Sequence, residues 1–498
     1  WKNRKGQRTE MVSMQQVGAT AADIRAFVSN YYYTNGLTFL LLVGDDNQIP
    51  SFSAGSGDSD PSYGYISGND SYAEVIVGRF SATNSSELST QIYRTLEYEQ
   101  RPDTSLQYQS NGVCIASDQG PGDDNEMDYE HARNMRQDLL GYGYQSVDEL
   151  YDGSQGVADA PGSPTATDLH QSINAGRGIM LYTGHGSTSG LGTTGFRIQD
   201  VATLANAGHL PFIWSVACVN GNFVGNTCFA EALLRAKDST DAPIGALATL
   251  MSTINQSWDP PMDAQDEMVD ILVESYPANR RHTFGGISVN GCMHMNDQYG
   301  SAGSDMTDTW TCFGDPSVVV RTATPHSLFV QHPLYIDDNA VQFTPAVSDD
   351  GVLICLSHNG SIVARGWSLL GSAMIPVSGL VAGDTLDVTA TAYNALPYHG
   401  TMIVTANSTG IIENTTDDRF FVYPNPATDQ VEIRVKGGNT EGLEFKLMDP
   451  SGRFVSMGYL RASGSNRFTF RLPETSSGIY FLELSTPGFR TVQRLVLK

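Results

Sequence analysis

A cysteine and a histidine occupy comparable places in two apolar stretches of the chain. His185 ends the apolar run in residues 178–187, and Cys218 ends the one in residues 210–221. A free thiol is mostly protonated near neutral pH, and a neighbouring imidazole raises its thiolate fraction. The pair could therefore perform nucleophilic catalysis. A buried structural thiol and a hydrogen-bonded surface histidine would explain the same two residues without any chemistry.

The two stretches must be positioned by the elements that contain them. Both runs are short and rich in β-forming residues, which predicts two buried strands of a parallel sheet. Residues 197–207 lie between them and have apolar residues at helical spacing, which predicts a crossover helix. Parallel strands joined in this way end at the same edge, where open α/β sheets bind ligands. We therefore expect His185 and Cys218 to be neighbours, with the N–H groups of Gly186 and Cys218 facing an oxyanion.

Three motifs resemble the gingipains, which are caspase-fold cysteine endopeptidases of Bacteroidetes. The motifs are Thr-Gly-His-Gly-Ser at 183–187, Ser-Val-Ala-Cys-Val-Asn-Gly at 215–221 and Ser-Thr-Ile-Asn-Gln-Ser-Trp at 252–258. The similarity is greater to the arginine-specific branch and extends from residue 1 to residue 317. It implies a caspase-like, parallel-sheet α/β catalytic domain in two subdomains, residues 1–103 and 104–322.

The resemblance also assigns residues to the recognition of arginine. Asp128 matches the carboxylate at the base of the family's S1 pocket, where it would bind a guanidinium bidentately, a geometry that lysine does not offer. Trp258 matches the residue that covers this pocket, and an indole face can cover a cation. Thr183, Val216 and Gln256 would form the walls. Alternatively, the acidic residues 118–128 are only a solvated surface loop.

The third catalytic position departs from the family pattern. Family members have a carboxylate there that orients the histidine, and the matching column falls on Gln119, with Asp118 beside it. We expect Asp118 to orient His185 through a one-residue shift. If Gln119 faces the histidine instead, its amide can still orient the ring, although it stabilises the imidazolium less.

Oxygen-rich loops predict bound calcium. Residues 68–74 with Asp45 could wrap a Ca²⁺ ion, although Asp/Asn-rich turns often bind no metal. Arginine-specific gingipains bind calcium, and the resemblance extends to this loop. The expected ligands are the carboxylates or carbonyls of Asp45, Ser67, Asp70, Tyr72 and Glu74. A second site would use the Phe223 carbonyl and Glu231, although Glu231 also suits the first turn of a helix without metal.

Bulk properties exclude several classes of protein. The net charge is −25 with only 29 Lys and Arg residues among 498, which argues against nucleic-acid binding. No apolar run approaches the length of a transmembrane segment. The six cysteines have neither zinc-site spacing nor the density of a disulfide framework. Because the chain opens on Trp1 inside its first α/β unit and shows no signal peptide, we expect a missing N-terminal segment.

The last third of the sequence has a different pattern of apolar and polar residues. Residues 323–410 alternate apolar and polar residues between short turns, which predicts a β-sandwich, and gingipains have an immunoglobulin-like module here. A polar linker follows at 411–419. Residues 420–498 predict a small all-β sandwich of about seven strands and resemble the C-terminal sorting domain of the type IX secretion system. That resemblance implies the type IX machinery as a partner and a secreted or outer-membrane cell-surface location.

Together these features predict a secreted, calcium-binding cysteine endopeptidase that cleaves proteins or peptides after arginine. One alternative is the same fold with lysine or another residue at P1. The other is a non-catalytic surface binding protein on a peptidase scaffold.

Overall fold

The computed structural model describes residues 1–55, 57–406, 420–436, 442–450, 452–462, 466–486 and 489–498. These residues belong to two compact units, 1–406 and 407–498. The linker expected at 411–419 lies outside the described residues. The boundaries expected near residues 103, 322 and 410 stay predictions.

Strands and helices alternate through the first 321 residues. The strands are β1 (Phe39–Val43), β2 (Phe52–Ala54), β3 (Gly57–Ser59), β4 (Ile76–Phe80), β5 (Asn111–Ala116), β6 (Ser146–Tyr151), β7 (Ile179–Thr183), β8 (Gly186–Ser187), β9 (Gly190–Leu191), β10 (Phe212–Val216), β11 (Ala248–Ser252) and β12 (Trp310–Phe313). The helices are α1 (Met14–Val17), α2 (Ala21–Asn35), α3 (Ser85–Gln100), α4 (Asp128–Tyr142), α5 (Ala166–Asn174), α6 (Ile198–Val201), α7 (Phe229–Arg235), α8 (Asp259–Leu272), α9 (Phe284–Tyr299) and α10 (Ser301–Asp308). Two short 3₁₀ turns lie at Pro61–Gly64 and Tyr108–Ser110.

Eight of these strands form one sheet in the order β1-β4-β12-β11-β10-β7-β5-β6. Neighbouring strands are parallel except β11 and β12, which are antiparallel. Every residue of β7 and β10 is buried, as expected for central strands that have helices on both faces. The predicted α/β class with a largely parallel sheet is confirmed.

The register of the two central strands places the catalytic candidates side by side. Thr183 is the partner of Val216 in the parallel pairing of β7 with β10. His185 and Cys218 each lie two residues beyond that pair, at the carboxyl edge of the sheet. The prediction that both residues leave the sheet at one edge is confirmed.

The crossover helix is shorter than the sequence predicted. Only α6, which ends at Val201, is helical within residues 197–207. After it, side chains compete for the backbone groups that a helix would use. The hydroxyl of Thr203 donates to the carbonyl of Asp200, and the amide of Asn174 accepts from the N–H of Ala205 at 2.7 Å.

The N-cap of α3 is Asn84 rather than one of the serines that follow it. The side-chain oxygen of Asn84 accepts from the N–H groups of Ser86 and Glu87. Asn satisfies the free N–H groups of a first turn at least as well as Ser, which explains the choice.

The part of the first unit that follows residue 321 is a β-sandwich. Its strands are β13 (His326–Ser327), β14 (Val330–Gln331), β15 (Tyr335–Asp337), β16 (Gln342–Phe343), β17 (Ala346–Val347), β18 (Leu353–His358), β19 (Ser361–Trp367), β20 (Ile375–Pro376), β21 (Thr385–Thr391), β22 (Ala395–Leu396) and β23 (Tyr398–Thr405). A five-stranded sheet in the order β15-β23-β21-β18-β19 packs over a separate apolar core.

The second unit has the predicted all-β structure. Its described strands are β24 (Phe420–Tyr423), β25 (Gln430–Val435), β26 (Gly442–Met448), β27 (Phe454–Arg461), β28 (Arg467–Arg471), β29 (Gly478–Thr486) and β30 (Phe489–Leu497). They form a three-stranded and a four-stranded sheet that share one apolar core. Among the described residues of the whole chain, no helix has the length and apolar character needed to cross a membrane.

Candidate active site

The backbones that carry His185 and Cys218 are in direct contact. His185 is exposed and Cys218 is partly exposed, so a substrate can reach both. A Cβ atom added to Gly186 would lie 2.5 Å from the carbonyl oxygen of Cys218 and 2.9 Å from the Cβ of Ala217. A side chain at position 186 would therefore force the two strand ends apart. The absence of a side chain there lets the two strand ends lie in contact.

The turn after Cys218 is strained. Val219 has a φ of +50°, a left-handed conformation that is rare for a β-branched residue. Its N–H donates to the carbonyl of Ile254 at 2.8 Å, and the N–H of Gly221 donates to the carbonyl of Ser252 at 2.8 Å. These bonds hold the turn against its strain, which is a common feature of functional sites.

Two buried polar side chains fix the loop that carries His185. The hydroxyl of Tyr182 donates to the carbonyl of His185 at 2.5 Å and accepts from the N–H of Gly192 at 3.1 Å. The amide of Asn220 donates to the carbonyl of Ser187 at 2.7 Å. The sequence analysis assigned no role to Tyr182 or Asn220, although Tyr182 directly precedes the motif at 183–187 and Asn220 lies within the motif at 215–221.

The side chain that contacts His185 is Gln119 rather than Asp118. The Gln119 amide nitrogen lies 2.8 Å from Nε2 of His185, while Asp118 is exposed. The backbone explains the choice, because the carbonyl of Gln119 accepts from the N–H of Asp128 at 2.8 Å and its N–H donates to the hydroxyl of Ser117. The expected one-residue shift toward Asp118 is therefore absent from the structure.

The carboxylate of Asp152 interacts electrostatically with His185. Asp152 follows β6, the neighbour of the strand that precedes Gln119. Burial raises the pKa of Asp152, as does the negative charge of Asp118, while the charge of His185 opposes this rise. The sequence analysis missed Asp152, and its place directly after a strand end was the available signal.

Asp128, Trp258 and His185 form a continuous chain of contacts. Asp128 is fully buried at the start of α4, and its Oδ1 accepts from the indole Nε1 of Trp258 at 2.7 Å. Its other oxygen accepts from the hydroxyl of Ser117. The ring of Trp258 packs edge to face on His185, with the ring centroids 5.4 Å apart at 67°. Burial raises the pKa of Asp128, and the hydrogen bonds from Ser117 and Trp258 oppose that rise.

The three residues expected to form the walls of the pocket differ in whether their side chains have polar groups without a hydrogen-bond partner. Thr183 and Val216 are buried, and the hydroxyl of Thr183 donates to Oε1 of Gln265 at 2.8 Å. Oε1 of Gln256 accepts from the N–H of Ala217 at 2.9 Å. Nε2 of Gln256 is buried and has no hydrogen-bond partner in the part of the chain that the structure describes. It is a free donor next to the backbone of the nucleophile.

The residues expected to form the first calcium site are not all together in the structure. The carboxylates of Asp45, Asp70 and Glu74, all described residues, do not form a group in which all three lie within 4.8 Å of one another. Glu74 accepts from the N–H groups of Ile66 and Ser67 at 2.8 and 3.0 Å. Asp70 accepts from the N–H of Tyr72 at 3.1 Å. The residues from Ser67 to Glu74 thus form one compact loop, from which Asp45 is separate.

Asp45 lies instead beside Glu231, a residue of the second expected set. The hydroxyl of Ser81 contacts both carboxylates, and the guanidinium of Arg235 contacts both as well. Burial raises the pKa of Glu231 to about 7, against the charge of Arg235. Phe223, whose carbonyl was the other expected ligand, is buried in the turn before α7.

A further group that could hold a metal ion includes residues of α4 and of the loop before it. Ligand atoms of Asp123, Glu126, His131 and Asp266 lie within 4.8 Å of one another. The ring of His131 is fully buried, with Nδ1 3.0 Å from Glu126 and 3.4 Å from Asp266. Carboxylates with one imidazole suit a divalent cation. The sequence analysis missed this group because Asp266 lies on α8, far along the chain from the other three.

Comparisons with known proteins agree with this geometry. Residues 1–321 match the model of peptidase family C25, and residues 421–498 match the secretion system C-terminal sorting domain. Gingipain R2 of Porphyromonas gingivalis (strain ATCC BAA-308 / W83) is 37% identical over 508 residues, covering 100% of this chain and 65% of its own length. Gingipain R1 of Porphyromonas gingivalis is 40% identical over 417 residues, covering 82% of this chain and 41% of its own length.

A solved structure is similar over the same region. The crystal structure of the Arg-specific cysteine proteinase gingipain R superposes with a TM-score of 0.77 at 38% identity. The match covers 81% of this chain and 93% of that one. The tail and the relatives together indicate a secreted or cell-surface protein.

Proposed function

Because the chain belongs to peptidase family C25, we propose that it is a secreted cysteine endopeptidase that hydrolyses peptide bonds after arginine. The observation that carries this proposal is the contact chain from the buried carboxylate of Asp128 through Trp258 to His185. It joins a candidate pocket for a cation to a candidate nucleophile and base at one edge of the sheet. The substrates would be proteins or peptides with arginine at P1.

In the proposed reaction the thiolate of Cys218 attacks the scissile carbonyl carbon and forms a tetrahedral oxyanion. The N–H groups of Gly186 and Cys218 stabilise this oxyanion. When the C–N bond breaks, His185 donates a proton to the leaving amine, which leaves an acyl thioester on Cys218. His185 then removes a proton from water, and the resulting hydroxide displaces the thiolate. Because Gln119 contacts Nε2 of His185, the other ring nitrogen remains for these proton transfers.

The proposed selectivity comes from Asp128. Its two hydrogen bonds come from neutral donors, the hydroxyl of Ser117 and the indole of Trp258, so its own negative charge is available to a substrate cation. A guanidinium can pair with both oxygens of a carboxylate, and an ammonium cannot match that planar geometry.

Covalent labelling would test this proposal. A peptide chloromethyl ketone with arginine at P1 should alkylate Cys218, and mass spectrometry of the digested protein should find the adduct on that residue alone. The matched lysine reagent should react at least about tenfold more slowly, which corresponds to roughly 1.4 kcal/mol of lost pocket binding. Equal rates for both reagents would leave the nucleophile in place and remove arginine selectivity from the proposal.

The side chain that contacts His185 is the neutral Gln119, and this favours the alternative of a non-catalytic binding protein. Replacing Gln119 by glutamate tests that alternative. Gln119→Glu places a carboxylate 2.8 Å from His185 and should stabilise its imidazolium. We expect kcat for an arginyl peptide to rise by about three- to tenfold at neutral pH, which is roughly 1 kcal/mol of added stabilisation. The alkaline limb of the pH profile of kcat/KM should move to higher pH.

Asp118→Asn is the comparison for that experiment. It removes the neighbouring carboxylate that does not contact the ring, and kcat should change by less than about twofold. A larger loss in Asp118→Asn than in Gln119→Ala would return the orienting role to Asp118.

We propose Ca²⁺ as the cation that the acidic regions of the first unit bind. Asp45 and Glu231 with the carbonyl of Phe223 would form one site, and the loop from Ser67 to Glu74 another. Asp45, Glu87 and Glu231 share the single guanidinium of Arg235, so the cluster keeps a net negative charge that a cation could neutralise. Carboxylate, carbonyl and hydroxyl oxygens are the ligands that Ca²⁺ prefers. A bound ion would order the region around Ser81 and take no part in bond cleavage.

Removing calcium gives a second prediction. A ligand present at about 100 times its Kd stabilises the folded state by roughly 2.7 kcal/mol, and in a unit of this size its removal should lower Tm by about 3 °C. Calorimetry with calcium and with EDTA measures this difference. In Asp45→Asn the difference should shrink. A Tm that does not respond to EDTA in the wild-type protein would contradict calcium binding.

A further inference from the structure

Gln265 is a fully buried amide in the middle of α8 with an unusual set of partners. A buried amide is costly unless its polar atoms are hydrogen-bonded. Here both N–H donors and both acceptor positions have partners, so the side chain has one defined orientation. A polar residue with four partners on the apolar face of a helix calls for an explanation beyond core packing.

The amide nitrogen of Gln265 donates hydrogen bonds to the two strands that precede the catalytic candidates. Its Nε2 donates to the carbonyl of Tyr182 at 3.3 Å and to the carbonyl of Trp214 at 3.1 Å. Tyr182 lies in β7, three residues before His185, and Trp214 lies in β10, four residues before Cys218. One amide group thus holds the relative position of β7 and β10 just before their functional ends.

The side-chain oxygen of Gln265 is hydrogen-bonded to two residues next to the proposed arginine pocket. Its Oε1 accepts from the hydroxyl of Thr183 at 2.8 Å and lies 3.1 Å from Nε2 of His131. His131 lies on α4, one turn after Asp128. The same amide therefore joins the strand that leads to His185 with the helix that begins at Asp128.

Apolar packing alone would not fix these elements to the accuracy that catalysis needs. Contacts between helices and a sheet are not directional, whereas hydrogen bonds fix both distance and angle. A displacement of about 1 Å in a catalytic group can reduce the rate by roughly 100-fold. A set of hydrogen bonds from one side chain to β7, β10 and α4 is a direct way to prevent that displacement.

We propose that Gln265 is a positioning residue that holds the S1 carboxylate of Asp128 in register with the Cys218–His185 pair. This inference rests on the proposed function, because it concerns the same site. Gln265 reaches the substrate only through these other residues and takes no direct part in the reaction.

The test compares Gln265→Met with the wild-type full chain on a peptide with arginine at P1. Active sites are counted by titration to completion with the arginyl chloromethyl ketone, which needs a folded site to bind, so that unfolded molecules drop out of kcat. We expect kcat per active site to fall by about 10- to 100-fold. The rate of alkylation of Cys218 by iodoacetamide should also fall, because the imidazole no longer faces the thiol correctly. A kcat per active site and an alkylation rate both within twofold of the wild type would assign Gln265 a purely structural role and overturn the proposal.

Gln109→Met is the matched control. Gln109 is also a buried amide, but it precedes β5 at the opposite edge of the sheet and donates to the carbonyl of Asp103. Its loss should leave kcat per active site unchanged, whatever its effect on Tm. An equal fall in kcat in both variants would show a general effect of core damage and contradict the proposal.

A second pair of variants decides the matter if Gln265→Met does not fold. Thr183→Val keeps the shape of the side chain and loses the hydroxyl that donates to Gln265, whereas Thr183→Ser keeps the hydroxyl. We expect kcat per active site to be about three- to tenfold lower in the valine variant than in the serine variant, because only the serine variant keeps the hydroxyl. Equal activity in the two variants would overturn the proposal.

The design also separates this inference from the proposed function. If wild-type protein does not cleave arginyl peptides, the proposed function fails whatever Gln265 does. If wild type cleaves them and loses that activity in Cys218→Ala, the proposed function stands, and the variants at positions 265 and 183 test the positioning role alone.

Discussion

Cys218→Ala should abolish the hydrolysis of arginyl peptides while the protein remains folded. Removing the nucleophile of a covalent mechanism typically lowers kcat by about 10⁴- to 10⁶-fold, because the remaining groups act as one unit and cannot replace it. Cys218 is partly exposed at a strand end, so the loss of its sulfur creates no buried cavity and Tm should change by less than about 2 °C. Steady-state kinetics and calorimetry on the same preparation measure both quantities.

Cys292→Ala is the control for that experiment. Cys292 is buried in α9, and burial raises the pKa of its thiol to about 12, so it contributes no thiolate at neutral pH. This variant should lose some stability and retain kcat. Residual hydrolysis above one per cent in Cys218→Ala would assign the nucleophile to another residue.

Asp128→Asn should have the second largest effect, and it should act on substrate choice. The amide fills the same space and can still pair with the indole of Trp258, but it carries no charge for a guanidinium. Loss of one partner of a buried charge pair costs about 2–5 kcal/mol, so kcat/KM for an arginyl peptide should fall by roughly 30- to 3000-fold. The alkylation of Cys218 by iodoacetamide needs no S1 pocket and should change little.

Asp124→Asn is the matched control for the pocket. Asp124 is an exposed acid of the same loop, four residues before Asp128. Its neutralisation should change kcat/KM by less than about threefold, since exposed charges contribute little. If Asp124→Asn and Asp128→Asn reduce kcat/KM equally, the loop acts through its overall charge, and the specific role of Asp128 is refuted.

The features that could be predicted best from the sequence are those that depend on the burial of a single strand or helix. β7 and β10 are short apolar runs with no exposed face, so their parallel pairing and the shared edge of His185 and Cys218 could be inferred. The pairing of Asp128 with Trp258 across 130 residues followed only from the resemblance, since no spacing rule connects the two positions. The hydrogen bond between them agrees with that assignment.

The sequence predicted poorly what depends on one or two backbone hydrogen bonds. Asp118 and Gln119 are adjacent, and the bond from the N–H of Asp128 to the carbonyl of Gln119 determines which of them faces His185. The crossover helix ended early for a similar reason, because the side chains of Asn174 and Thr203 take up backbone groups.

The grouping of the acidic residues was the other weak point. The sequence analysis joined Asp45 to the loop that ends at Glu74, because they are near along the chain. In the structure Asp45 lies with Glu231, and Ser81 contacts both. Contacts over such distances are set by the packing of β4 and α7, which local patterns do not reveal.

The most direct test of the central claim is the hydrolysis of matched peptides that differ only at P1, with arginine, lysine or aspartate. The account predicts cleavage after arginine at least about tenfold faster than after lysine, no cleavage after aspartate, and loss of all cleavage in Cys218→Ala. Cleavage after lysine alone would keep Cys218 as nucleophile and refute the role of Asp128. A folded protein that cleaves none of the three peptides would contradict the peptidase function and favour a binding protein on a peptidase scaffold.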